Sequence, residues 1–435
     1  MRINRPVQAT SGAPEDVANR RRAIAITFGF LVMLTQRLGI TVGLDGSVQS
    51  ATIIGLLLIG WIFISGEARL SPAGLVLWLL LIMSGGLSAL AAPDFSLPSF
   101  VLLLATYVVI LVGGNDRTEG LGGAFFLGVV RAVKLGAALG VAQWLFQRAG
   151  LGFFDPISLL PSEVLRTGFN THYDLQYAGG VKGEFKPNGV LFLEPSLLSL
   201  FTAIALVYCI WEVLRKGSAG DGVKRWVWIF VLGAGFAVSA SASGVVVLAA
   251  AAVPLLVRSV RRIGVLIALI AVSVIALQIG IFDAVLGKAQ ENLLNPNTSA
   301  ALRLWLPYEL LTPYWLQSPF IGSGPGSASI AIDELGRAGL QASTTMKILV
   351  EYGLLGATVI GGILVRAIWA TRAPTALVFA IFAAWLIPAE ALLNSTLVLM
   401  LAFAVPQWGR SRQENEPLPA KRARRPTPAL ARRRW

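Results

Sequence analysis

One stretch concentrates the groups that could do chemistry: Lys186-Pro-Asn-Gly-Val-Leu-Phe-Leu-Glu-Pro-Ser196, where a polar segment meets an apolar helix. A carboxylate at the edge of hydrocarbon is costly unless it is paired or used. Two roles are open for Glu194. With Pro195 at a natural first helical position, it complements the helix N-terminal dipole. It is also placed to serve as an acid–base group. The cations in the polar segments include Arg166, Lys186, Arg303, Arg337 and Lys347, and Glu351 lies one helical turn after Lys347. Guanidinium groups match phosphate oxygens two at a time and stay charged when partly buried. Several cations with one or two carboxylates beside a lipid surface would suit a lipid-linked diphosphate. Arg303, inside an apolar-rich segment, and Lys186, beside the apolar helix, stand out from ordinary solvated loop charges. His172, the single histidine, is either a general base near neutral pH or an exposed loop residue. Gly322-Ser-Gly-Pro-Gly326 reads as a turn, because no Gly-Lys-Ser/Thr follows it. There is no His/Cys/Asp/Glu cluster with metal-ligand spacing, so the expected chemistry needs neither metal nor cofactor.

The elements that position these groups are membrane helices. The chain is 55% hydrophobic and only 14% charged over 435 residues. A soluble domain carries about a quarter charged residues, so the expected class is all-α, a polytopic bundle. The lone Cys209 excludes an intramolecular disulfide. The net charge of +13 is mostly in the tails: residues 1–22 carry +3 and residues 409–435 carry +7. Residues 1–22 read as disordered, and both tails read as basic cytoplasmic ends near anionic lipid, with no folded module for nucleic acid. The first apolar run has no cleavage site after Arg20-Arg21-Arg22 and reads as an uncleaved anchor.

About twelve spans are expected in a membrane domain of 23–408: 23–43, 48–65, 72–91, 98–113, 122–148, 192–213, 226–241, 244–257, 263–281, 343–369, 374–389 and 391–408. Arg37 at the end of the first is expected to snorkel. Arg131 and Lys134, three apart in the fifth, either snorkel or face the interior, with the interior favoured. Two polar segments, 149–187 and 282–342, are too long for simple connections, and loops of that length usually carry function. The first has three Lys+Arg against four Asp+Glu, and the second three against five. The shorter connections on the other side carry Arg215, Lys216, Lys224, Arg225, Arg258, Arg261 and Arg262. The positive-inside rule therefore puts both long loops outside and both termini inside. Leu302 to Leu311 reads as a surface helix capped by Thr298 or Ser299 and kinked at Pro307. There is no internal repeat of the kind that marks inverted-repeat transporters.

The 186–199 stretch resembles the Arg-x-x-Gly-x-Phe-x-Glu-Pro-Ser pattern of bacterial polysaccharide polymerases. Ser239-Ala-Ser-Ala-Ser-Gly244 resembles their Ser-rich helix junction. Arg303, Trp305 and Pro319 to Gly326 resemble the second outer loop of the O-antigen ligase/polymerase superfamily, and Lys347 to Gly356 the helix after it. The resemblance spans roughly residues 20–408. It implies a GT-C-like bundle in the bacterial cytoplasmic membrane and metal-independent, inverting glycosyl transfer at its outer face. The donor would be a glycan on undecaprenyl diphosphate, and a chain-length regulator is a conceivable partner. By matching position Arg303 would engage the diphosphate, Lys186 would stand in for a second arginine, and Glu194 would be the motif glutamate. Arg166, Arg337, Lys347 and Glu351 complete the expected substrate-binding set, with His172 as a further catalytic candidate. Ligases carry a histidine where this chain has Ala342-Ser-Thr-Thr-Met346. The expected activity is thus a polymerase of exopolysaccharide, capsule or O-antigen repeats. The alternatives are a ligase using another acceptor, and a transporter of lipid-linked glycan.

Overall fold

The computed structural model describes residues 13–41, 47–92, 95–114, 118–166, 184–216, 222–239, 241–259, 301–302, 305–336, 340–371, 373–386 and 391–409. His172, Arg303 and Arg337 lie outside the described residues, as do the expected span 263–281, the cap at Thr298 or Ser299 and the 409–435 tail beyond Gly409.

The chain is mostly helical. The helices are α1 Ala13–Leu34, α2 Ser50–Ile64, α3 Pro72–Ala91, α4 Leu97–Tyr107, α5 Leu121–Arg148, α6 Pro195–Lys216, α7 Gly222–Val238 and α8 Ala242–Ser259. They continue with α9 Leu306–Gln317, α10 Ser327–Glu334, α11 Thr344–Trp369, α12 Thr375–Leu386 and α13 Ser395–Leu399. Among the described residues, four helices are long and apolar enough to cross a membrane: Pro72–Ala91, Leu121–Arg148, Pro195–Arg215 and Thr344–Trp369. Their outward faces carry Val76, Leu79, Met83, Leu87, Leu135, Leu354 and Val365 in exposed positions. Continuous apolar surface of this kind needs lipid rather than water beside it.

Several boundaries differ from the sequence expectation for local reasons. Helix α1 begins at Ala13 rather than at 23, so residues 13–22, expected to be disordered, continue the first helix. Among the described residues of the 282–342 segment, no helix is kinked at Pro307. Helix α9 starts at Leu306 with Pro307 in its first turn, where a missing N–H costs nothing. The all-α expectation meets two small exceptions. Strands β1 Gly39–Thr41 and β2 Ser47–Gln49 form an antiparallel ladder, and β3 Arg69–Leu70 pairs with β4 Val112–Gly113.

Helices α1 and α5 make the tightest crossing. A Cβ on Gly29 would lie 1.9 Å from the Phe125 carbonyl oxygen, and one on Gly128 would lie 2.0 Å from that of Ile26. Only glycine permits this approach, the small-residue mode of membrane helix packing. Helices α6, α7 and α8 pack on the same group, and α12 closes it against α8. The core is continuous, with Phe125, Phe126, Phe201, Trp385 and Phe403 fully buried.

The two ends of the bundle differ in chemistry. At one end Arg21 pairs with Glu67 at 2.6 Å, β3 pairs with β4, and Arg366 bonds Ser71 and Ile110. The other end holds the 37–49 hairpin, residues 148–166, the 184–194 segment, the 318–326 loop and the start of α11. It is this second end that gathers the described groups of chemical interest.

Candidate functional site

Two side chains of α5 organise the segment that leads into α6. Gln143 and Gln147 lie one turn apart and face that segment. The Gln143 amide uses its whole hydrogen-bonding capacity. Its nitrogen donates to the Phe154 carbonyl at 2.8 Å and to the Asn188 side-chain oxygen at 3.1 Å. Its oxygen accepts from the Asn188 and Gly189 N–H groups at 3.2 and 2.8 Å. Gln147 accepts from the Phe185 N–H at 2.7 Å and donates to the Phe185 carbonyl at 3.0 Å. A buried irregular backbone must find such partners, since each unpaired polar group is costly.

Two backbone positions here are left-handed. Gly189 has φ +66°, and a Cβ there would lie 2.4 Å from the Gly136 carbonyl oxygen. Val190 has φ +62° and is the one non-glycine residue with positive φ among the described residues. A β-branched side chain in that region is strained by about 1–3 kcal/mol and persists only when its surroundings hold it. The Asn188 side chain accepts from the Val190 N–H at 3.0 Å, and Arg37 donates to the Val190 carbonyl at 2.9 Å. Phe192 then fills the space left by Gly136 and stacks on Phe201 with centroids 5.9 Å apart.

This backbone delivers Lys186 and Glu194. Lys186 is half-buried at the start of the clamped stretch. Glu194 is 5% exposed and precedes the first residue of α6, its carbonyl accepting from the Leu197 and Leu198 N–H groups. The Ser196 hydroxyl donates to its carboxylate at 2.9 Å. Glu194 thus stands at the start of α6, as expected, with its carboxylate bonded to the Ser196 hydroxyl. One turn on, Ser199 donates to the Ser241 carbonyl at 3.1 Å, and the absence of a side chain on Gly244 admits Ser199. The Ser-rich junction and the Glu-Pro-Ser stretch are therefore packed together.

Arg37 does not snorkel, contrary to expectation. It is buried and forms a two-pronged ion pair with Asp155, at 2.5 and 3.0 Å. Carried just past the end of α1, where residues 151–166 pack against it, the guanidinium has a fixed carboxylate partner. Arg166 follows the same pattern. Its N–H donates to the Arg37 carbonyl at 2.9 Å, and its guanidinium faces the Gln49 amide oxygen at 2.7 and 3.1 Å. Residues 151–166 are strapped to the 37–49 hairpin in this way. The interior role favoured for Arg131 is overturned: its side chain is exposed, while Lys134 lies 5.2 Å from the Trp228 ring centre.

Lys347 and Glu351 form a second cluster within α11. They are 6% and 1% exposed, with Nζ 3.7 Å from Oε1. Two residues on, Gly353 has φ +61° and ψ −163°, which interrupts the helix. The Gly322–Gly326 run fills the interruption. The Ser323 N–H donates to the Val350 carbonyl at 2.7 Å, and the Gly324 N–H to that of Glu351 at 3.1 Å. The Leu354 and Leu355 N–H groups, which lose their helical partners, donate to Pro319 and Phe320 at 2.9 and 3.0 Å. Ser88 of α3 also donates to the Glu351 carbonyl. The glycine run is a splice for a broken helix, and its Ser323 and Gly324 donors are spent internally.

The structure thus brings Glu194 and Lys186 into one segment and pairs Lys347 with Glu351. Sequence reasoning missed Gln143, Gln147, Asn188 and the Arg37–Asp155 pair. The available signal was two glutamines one turn apart in an otherwise apolar helix. No family model, curated protein or solved structure matches this chain.

Proposed function

We propose that this chain is a membrane glycosyltransferase that elongates undecaprenyl-diphosphate-linked oligosaccharide repeats at the outer face of the bacterial cytoplasmic membrane. The reading includes a GT-C-like bundle of about twelve spans with both termini inside, and metal-independent inverting chemistry. It rests on the resemblance of the 186–199 and 303–356 stretches, and one structural observation carries it. The strained backbone at Val190 lies within the resembling motif, three of the four hydrogen bonds of the Gln143 amide go to Asn188 and Gly189 beside it, and the same segment carries Lys186 and Glu194. Strain concentrated in that way marks segments whose shape matters for function.

In the reaction, an acceptor hydroxyl oxygen attacks the anomeric carbon of the donor. The bond from that carbon to the diphosphate oxygen breaks, and the hydroxyl proton passes to a base. Lys186 and Arg303 offset the negative charge that grows on the departing diphosphate. Glu194 orients the acceptor hydroxyl or takes its proton, with His172 as the other candidate. The test is elongation by purified protein given its native lipid-linked repeat in EDTA, resolved on a gel. A ladder of increasing length is expected, and Glu194→Gln should slow it by about 100-fold or more without unfolding the protein. A folded protein that yields no ladder sinks the polymerase reading. Transfer to a non-polyprenyl acceptor in its place would make the protein a ligase.

A second reading has its own support. Transporters place charged groups at interrupted membrane helices, and α11 combines a buried Lys347–Glu351 pair with a break at Gly353. Movement of lipid-linked glycan across liposomes without elongation would favour transport.

A further inference from the structure

At the end of the bundle opposite Glu194, a cavity of about 410 Å³ is lined in part by Ile110, Glu119, Arg366, Pro406 and Gln407. Arg366 and Ala370 also line an open groove between α3 and α11, whose other walls are apolar and include Ala73, Val76, Leu77 and Val365. A mixed polar chamber and an apolar slot therefore meet at one guanidinium. That guanidinium is half-buried and held in place. Its nitrogens donate to the Ile110 carbonyl and the Ser71 hydroxyl, each at 2.8 Å. Both partners are neutral, and among the described residues no carboxylate pairs with Arg366. A partly desolvated cation that lacks a counter-ion attracts an anion. Trp369, 86% exposed beside the groove, is the kind of side chain that sits at a membrane–water interface.

We infer that this junction binds a glycerophospholipid of the leaflet at this end of the bundle, with its phosphodiester on Arg366 and an acyl chain along the α3–α11 groove. The shape of the site supports an amphiphile, the cation supports a phosphate, and the apolar slot opens where a lipid tail would lie. Glu119 in the chamber wall favours a singly charged phosphodiester over a diphosphate. The site is independent of the glycosyl-transfer reading and lies at the other end of the bundle.

The test is native mass spectrometry of the full chain, stripped of lipid in detergent and titrated with phosphatidylglycerol. One tightly held lipid per chain is expected, with dioleoylglycerol, which lacks the phosphate, bound at least about tenfold more weakly. Arg366→Ala should weaken phosphatidylglycerol binding by a similar factor. Ala73→Trp fills the groove from an exposed position and should weaken it while leaving the fold unchanged, which guards against misfolding of the arginine variant. Equal binding of dioleoylglycerol would overturn the inference. So would unchanged affinity in both variants, or displacement of the phospholipid by undecaprenyl phosphate at lower concentration.

Discussion

Gln143→Leu is the sharpest test of how the Glu194 segment is held. Leucine has nearly the same bulk and suits a membrane helix, so the helix itself should survive. The substitution removes four hydrogen bonds. The Asn188 side-chain oxygen keeps the Val190 N–H at 3.0 Å, so three groups lose the partner they had in Gln143: the Phe154 carbonyl and the Asn188 and Gly189 N–H groups. A buried polar group without a partner costs about 1–3 kcal/mol. The Phe154 contact is only partly buried, so the two buried N–H groups set the lower end: a loss of about 2 kcal/mol, which would raise the open population of the segment roughly 30-fold. Hydrogen exchange read by mass spectrometry on peptides covering 184–194 measures this directly. Exchange there should accelerate by about thirtyfold, while peptides from the centre of α6 stay protected. Gln147→Leu removes contacts that are only partly buried and should accelerate exchange by about tenfold. Unchanged exchange in Gln143→Leu, or a larger effect from Gln147→Leu, would refute the assignment of Gln143 as the main clamp.

Arg37→Met should destabilise the protein by about 3–5 kcal/mol by stranding Asp155, and adding Asp155→Leu should restore most of that loss in a denaturation double-mutant cycle. An additive double variant would show that the pair does not interact as described. Gly353→Ala should lower thermal stability by about 3 kcal/mol or more, since a Cβ would lie 2.5 Å from the Phe320 carbonyl and the backbone there suits only glycine. Gly361→Ala in the same helix meets nothing within 4 Å and should be neutral or slightly stabilising. Similar melting temperatures for the two variants would contradict the helix break.

Much of the scaffold was legible in order along the chain. Pro195 and Ser343 mark helix starts that the structure reproduces: α6 begins at Pro195, and Ser343 caps α11 by accepting from the Met346 N–H at 3.3 Å. The reading of Gly322–Gly326 as a turn also matches the observed loop. These features are local, set by proline geometry, side-chain capping and the freedom of glycine. The position of Arg37 was not legible, because its partner lies over a hundred residues away. The same holds for Gln143, which looks like an ordinary polar residue in an apolar helix until the 185–190 backbone is laid against it.

By itself, the sequence determined the apolar character of the chain, the mostly helical framework and the presence of a charged motif at a helix start. Those follow from hydropathy and from short-range chemistry, which do not depend on what packs where. Only the tertiary structure decided which polar groups are spent on architecture and which are presented. Arg37, Arg166 and the glycine run bind other parts of the chain, Lys347 and Glu351 face each other, and Lys186 and Glu194 sit on the strained segment that Gln143 holds. The physical reason is that a buried polar group must be satisfied, and its partner is chosen by proximity in space rather than in sequence.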